Sequence, residues 1–150
     1  MENLKEKYAN QIISILTDMS AVLERTLEAA KRESLAYRSN KRNELMFDVA
    51  TSELEVCLQK MMALSDSLDQ VSQQIAEQNI NFDDIPITVK ENLLKLNQSV
   101  AEKTMLVTTQ SEVNKEKFNT YISGKRKEIR EYETRSEYAA TYYNTMMKQI

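Results

Sequence analysis

Apolar residues recur in alternating steps of four and three along much of the chain, which is the spacing of a seam between supercoiled helices. One seam spans residues 8–75 without changing phase, although small and polar side chains occupy it at 26–43. A seam of the same spacing follows at 89–107. The pattern predicts an all-α protein with long helical arms.

The chain contains one proline and one glycine, Pro86 and Gly124, so strong helix breakers are rare. Pro86 lies in the stretch QNINFDDIPIT, where Asn and Asp cluster between apolar residues, and this stretch is the predicted main turn. Thr88 and Glu91 have the spacing of a capping box, which predicts a helix start near Thr88. Pro86 could instead occupy the first helical turn and move that start by about two residues.

The favoured fold is a single domain in the form of an elongated antiparallel coiled-coil hairpin. Its helical arms would cover about residues 3–78 and 88–149, joined by a turn at about 79–87, with Gly124 as a potential break in the second arm. A second arrangement breaks the first arm at the polar residues 38–43 and folds its halves into a three-helix bundle against the last helix, whose end would project beyond Gly124. Helix propensity does not decide between the two.

The hairpin fixes a register once Ile75 faces Val89 across the turn. The N-terminal residues 8–22 would then face residues 142–150, so that two apolar segments meet. The weakly apolar segment 26–43 would face an equally weak one. This agreement favours the hairpin.

Composition and charge restrict the partners. The formal net charge is −3 with both signs interspersed, which argues against a nucleic-acid partner or an anionic membrane surface. No apolar run approaches the ~20 residues of a membrane span. The first residues lack the apolar core of a secretory signal, and the lone Cys57 cannot form an intramolecular disulfide, so we expect a cytoplasmic protein. Cys57 lies on the seam and is expected to be a small buried side chain.

The chain is poor in the groups that carry out catalysis. It has no histidine, one cysteine and no glycine-rich loop, so it lacks the commonest acid–base residue, the ligands of a zinc site and a phosphate cradle. We therefore expect no enzymatic activity, no metal and no cofactor.

Tyrosine is concentrated at the C-terminal end, where five of the seven tyrosines lie within the last thirty residues. Tyrosine and methionine suit adaptable protein contacts, although core packing is an equal alternative for these positions. Tyr142 and Tyr143 are adjacent and point about 100° apart on a helix, so at least one must face another surface. The candidate protein-binding residues are Tyr121, Tyr132, Tyr138, Tyr142, Tyr143, Met146 and Met147.

Residues 15–122 resemble the FlgN-type flagellar type III export chaperones. The resemblance lies in LERTLEAAKRESLAYRSNKRNELM, with a Lys-then-Leu step at Lys41 and Leu45, and in LLKLNQSVAEKTMLVTTQSEVNKEKFNTYI, with a Leu-Asn-Gln element at 96–98. It implies a small helical chaperone that keeps hook–filament junction proteins soluble and delivers them to the cytoplasmic export gate. The C-terminal tyrosines would be the first candidates for gate contact.

Two other functions are compatible with the helical pattern. One is a structural coiled-coil spacer or stalk, such as a helical hairpin associated with an export ATPase, and the other is an unrelated coiled-coil adaptor or a homodimer. A chaperone should expose an apolar strip when alone, whereas a spacer should bury its seams internally.

Overall fold

The computed structural model describes residues 3–148 and confirms the all-α prediction. Its elements are α1 (Leu4–Leu35), β1 (Tyr37–Arg38), β2 (Lys41–Arg42), α2 (Glu44–Glu77) and α3 (Ile87–Lys148). The two short strands form an antiparallel ribbon between α1 and α2. The first arm therefore does not run unbroken over 3–78, and the arrangement with a break at 38–43 is the one found.

Helix α1 is the central element of the fold. It packs against α2 on one side and against α3 on the other, whereas the backbones of α2 and α3 barely approach each other in the described part of the chain. The three helices thus form an open layer with α1 in the middle, and the faces of α2 and α3 that flank α1 border a groove.

Two asparagines start the first two helices. The Asn3 side chain accepts a hydrogen bond from the Lys5 N–H at 3.2 Å, and the Asn43 side chain accepts one from the Met46 N–H at 3.1 Å. Each asparagine satisfies a backbone donor that has no partner within its helix. The polar stretch 38–43 therefore ends in the cap that begins α2.

Helix α3 begins at Ile87, one residue before the predicted start. The Pro86 carbonyl accepts hydrogen bonds from the Val89 and Lys90 N–H groups, so Pro86 stands at the helix entrance, close to the predicted alternative. Thr88 lies inside the first turn, and the capping box predicted for Thr88 and Glu91 therefore does not set the start of the helix.

Helix α3 continues through Gly124 without a break. A Cβ atom at Gly124 would lie 3.4 Å from the Asn40 Oδ1 atom, at the turn between β1 and β2. Ser39 in that turn has a φ of 53°, in the left-handed region that a tight turn requires. Gly124 is thus a contact position for the ribbon, and the potential break there is wrong.

Polar contacts show that α1 and α3 run parallel. Lys5 forms an ion pair with Asp84 at 3.1 Å, near the start of both segments. Further along, Lys117 Nζ donates to Ser34 Oγ at 2.7 Å. Residues 8–22 therefore lie beside the start of α3, and the pairing predicted with 142–150 is wrong for residues 142–148; residues 149–150 lie outside the described residues. A heptad seam specifies the spacing of contacts but not the direction of the partner helix. The agreement between strongly apolar segments therefore did not determine whether the helices are parallel or antiparallel.

The weakly apolar segment of α1 is closely packed. Ala29 and Ala30 are 1% and 2% exposed, because small side chains let neighbouring helices approach. The buried Asn114 side chain donates to the Ala30 carbonyl at 2.7 Å and accepts from Gln110 Nε2 at 3.1 Å. Cys57 on α2 is 0% exposed, which confirms its expected burial.

Candidate protein-binding surfaces

An arginine–aromatic cluster joins the ribbon to α2 and α3. The Arg42 guanidinium lies 4.0 Å from the ring centre of Phe47, 4.8 Å from that of Tyr121 and 5.9 Å from that of Tyr37. The Tyr37 ring meets Phe47 and Tyr121 in edge-to-face arrangements, with centroids 6.1 and 5.8 Å away. Such contacts between a cation and aromatic faces are attractive. The cluster therefore fixes the α1–α2 connection onto α3.

Glu44 completes this cluster. Its carboxylate accepts two hydrogen bonds from Arg42, from Nε at 3.0 Å and from Nη2 at 3.2 Å. The charged carboxylate raises the pKa of Arg42 further above its ordinary value, and burial of the guanidinium opposes this only in part. Tyr121, one of the candidate protein-binding residues, is thus half-buried and engaged within the chain.

The other candidate residues lie on a projecting arm, which we define as residues 126–148 of α3. Every side chain in the arm is exposed. At about 1.5 Å per residue the arm extends roughly 34 Å beyond the ribbon. Tyr132, Tyr143 and Met146 are 72%, 64% and 49% exposed. Core packing of these residues within the chain, the alternative left open by the sequence, does not occur.

The apolar residues of the arm fall on two faces. One face continues from the bundle towards the C-terminal end of the arm, in steps of four and three residues. We call this face the arm stripe. Its apolar members are Phe118, Ile122, Ile129, Tyr132, Ala139, Tyr143 and Met146. Tyr138 lies off this stripe, on the side of α3 that contacts α1 within the bundle. Tyr142 and Met147 flank the stripe. The candidate residues therefore do not form one patch.

A groove of about 660 Å³ lies between α2 and α3, with α1 as its floor. Its apolar lining is Ile12, Leu16, Leu68, Phe82, Ile85, Leu93 and Leu94. Lys90 and Asp83 stand at its edge, where Lys90 Nζ donates to the Asp83 carbonyl at 2.7 Å. Leu94 is 61% exposed, so the groove presents apolar surface to any partner that enters it.

Comparison with known proteins finds no relative. No family model, no curated protein and no solved structure matches this chain.

The groove was not predicted, although the sequence contained a signal for it. Leu93 and Leu94 are adjacent, and adjacent side chains point about 100° apart on a helix, so only one of the two can point directly at α1. Leu93 lies on the seam towards α1, so Leu94 had to face another surface. Phe82 and Ile85 gave a second signal, because they are apolar residues within the turn.

Two further properties concern the described residues 3–148. No helix there combines the length and the apolar character needed to cross a membrane. No three side chains of His, Cys, Asp or Glu in this range converge into a group that could hold a metal ion.

Proposed function

We propose that this protein is a non-enzymatic helical chaperone of the FlgN type. It would keep a flagellar hook–filament junction protein soluble by binding an amphipathic terminal helix of that client, and deliver the client to the type III export gate. The observation that carries the proposal is the open apolar groove between α2 and α3, at the end of the bundle where the turn joins these helices.

The shape of the groove supports a helical client. An amphipathic helix binds by laying its apolar face into a hydrophobic groove, with anchors spaced three and four residues apart. The floor residues Ile12 and Leu16 have this four-residue spacing on α1, and Leu68 and Leu94 stand on opposite walls. Lys90 at the edge of the groove could pair with an acidic residue of the client.

Exposed apolar surface favours this function over a structural spacer. A spacer would bury its seams internally, yet several large apolar side chains on α2 and α3 are exposed in this chain. The most exposed of them outside the arm are Leu45, Leu58, Met62, Ile87, Leu94 and Met105. The arm supplies a second contact surface, and Tyr138 is our first candidate for contact with the gate.

The experiment is affinity purification from the native cell with three forms of the full-length chain, followed by mass spectrometry. The forms are the native protein, Leu94→Glu in the groove, and Met105→Glu as a control that is 71% exposed on the same helix but does not line the groove. We expect a hook–filament junction protein with the native and Met105→Glu forms, and a loss of at least about tenfold with Leu94→Glu, as for truncation at a binding hot spot.

Two results would reject the proposal. If the native chain recovers no junction protein, hook–filament junction proteins are not its clients. Equal recovery by the Leu94→Glu form would show that the client does not use the groove.

A further inference from the structure

The arm stripe is a regular heptad seam whose side chains from Ile129 onwards are exposed in the described chain, whereas Ile122 and Lys125 near the ribbon are partly covered. It starts within the bundle, where Phe118 is 41% exposed, and continues along the arm. Seams of this regularity are characteristic of helices that pair with another helix. We propose that the stripe pairs with the same stripe of a second copy, in antiparallel orientation. The proposal rests on the proposed function only in taking the arm as a protein-binding surface.

Charges on one flank of the stripe determine the orientation. In an antiparallel pair, Ile129 of one copy can face Tyr132 of the other at the centre of the overlap. This register brings Glu128 opposite Arg135 of the second copy, and the symmetry repeats the contact with the roles exchanged. The flank therefore gives two attractive charge contacts.

The other flank is complementary in the same register. It brings Arg126 opposite Glu133 of the second copy, again twice. Among residues 3–148, Arg126, Glu133 and Arg135 form no ion pair within the chain, and Glu128 contacts only Lys125, at 3.5 Å. These charges are consequently available to a partner.

The core layers of this register are also compatible. Apolar and aromatic side chains face one another, and Lys125, the one charged residue of the stripe, faces the small Ser136 side chain. The layers are Phe118 with Tyr143, Ile122 with Ala139, Lys125 with Ser136, and Ile129 with Tyr132 of the second copy. Three of the four layers are apolar or aromatic, which is the composition that drives helix pairing.

A parallel pair of the same stripes would be unfavourable. Lys125 would face Lys125 of the second copy in the core, which places two cations together. Glu128 would lie near Glu133 of the second copy, because flanking positions in parallel pairs meet five residues apart. The antiparallel orientation removes the first repulsion, because Lys125 then faces Ser136, and it replaces the second with the attraction between Glu128 and Arg135.

The test is the oligomeric state of the full-length chain, measured by sedimentation equilibrium over a concentration series. We expect a reversible dimer. Glu128→Arg and Arg135→Glu should each weaken it about tenfold, because each places like charges at two contacts. Lys127→Glu is the control, since it changes charge by the same amount as Arg135→Glu on the side of the helix away from the stripe, and it should shift the dissociation constant less than about twofold.

A mixture of the two variants provides the sharper measurement. In an antiparallel pair of one Glu128→Arg chain and one Arg135→Glu chain, both contacts are again attractive, so an equimolar mixture should recover native affinity. Three results would overturn the proposal: a chain that stays monomeric at its highest soluble concentration, a dimer unaffected by the swaps, or a dimer tightened by Glu128→Arg, which is the parallel outcome.

The same variants separate this inference from the proposed function. Recovery of the junction protein depends on the groove, whereas dimerisation depends on the arm. A monomeric native chain that still recovers the client would reject only the pairing of the arms, and a dimer that recovers no client would reject only the chaperone function.

Discussion

Gly124 of α3 lies against the Asn40 side chain at the tip of the ribbon, and a Cβ at Gly124 would be 3.4 Å from Asn40 Oδ1. This distance is an ordinary van der Waals contact, so the site has room for a methyl group but little more. The glycine thus permits the ribbon to approach α3 closely while the helix continues past it.

The first prediction is that Gly124→Ala keeps the fold and raises the free energy of unfolding by up to about 1 kcal/mol, because alanine favours a helix interior over glycine. Gly124→Leu should lower it, since the larger side chain must displace Asn40. Chemical denaturation followed by circular dichroism measures both. A marked loss of helicity in the alanine variant would mean that α3 needs a flexible joint here.

The second prediction concerns Arg42, which contacts three aromatic rings and the Glu44 carboxylate. Arg42→Ala should lower the free energy of unfolding by about 1–2 kcal/mol, because it removes the stacked guanidinium and leaves Glu44 without its partner. Arg42→Lys should recover only part of this loss, since an ammonium group lacks the two-pronged geometry.

Arg38→Ala is the matched control for Arg42. Arg38 lies in the facing strand and is exposed, so its removal should change stability by less than about 0.5 kcal/mol. Urea unfolding of the three variants compares them directly. Equal losses for Arg38→Ala and Arg42→Ala would show that net positive charge, and not the cluster, stabilises the ribbon.

The third prediction is a pH dependence at Glu33, which is half-buried on α1. Burial raises the pKa of the Glu33 carboxyl above its ordinary value of 4.5, although a hydrogen bond with Asn114 and the charge of Arg42 oppose the rise. The folded state therefore binds a proton more tightly than the unfolded chain. Stability at this site is lost as pH rises through the folded pKa, because the charged form is then buried.

Glu33→Gln should consequently raise stability at neutral pH, and its advantage should shrink as pH falls from the folded pKa towards 4.5. Glu112→Gln on the exposed surface of α3 is the control and should show no such dependence. Thermal unfolding between about pH 4 and pH 7 makes the comparison. A growing advantage at low pH would have the wrong sign and reject the argument.

The all-α class and the turn before Pro86 could be read from the sequence, because both depend on local chemistry such as helix propensity and breaker residues. The interruption at 38–43 was only the second arrangement, because helix propensity does not decide it, although Asn43 caps α2. The direction in which α3 packs could not be read, because the same spacing of apolar residues serves parallel and antiparallel neighbours.

The candidate protein-binding residues lie in different environments, and the sequence did not predict this for a related reason. Tyrosine enrichment identified the arm, but it did not separate Tyr121, which contacts Arg42, from Tyr132, which faces solvent. That difference depends on where the ribbon folds back onto α3, a long-range contact without a local signal. The groove depends likewise on three helices meeting around α1.

The last prediction is that the arm is separable from the bundle. Truncation after Lys125 removes only exposed side chains of the described chain and keeps the Lys125 ammonium, which lies 5.6 Å from the Tyr121 ring centre. The midpoint of denaturation should therefore change little, while the helical signal falls in proportion to the residues removed. The truncated chain should also be monomeric and still recover the client. Global unfolding on truncation would show instead that the arm contributes to the core, and that the bundle does not end at the ribbon.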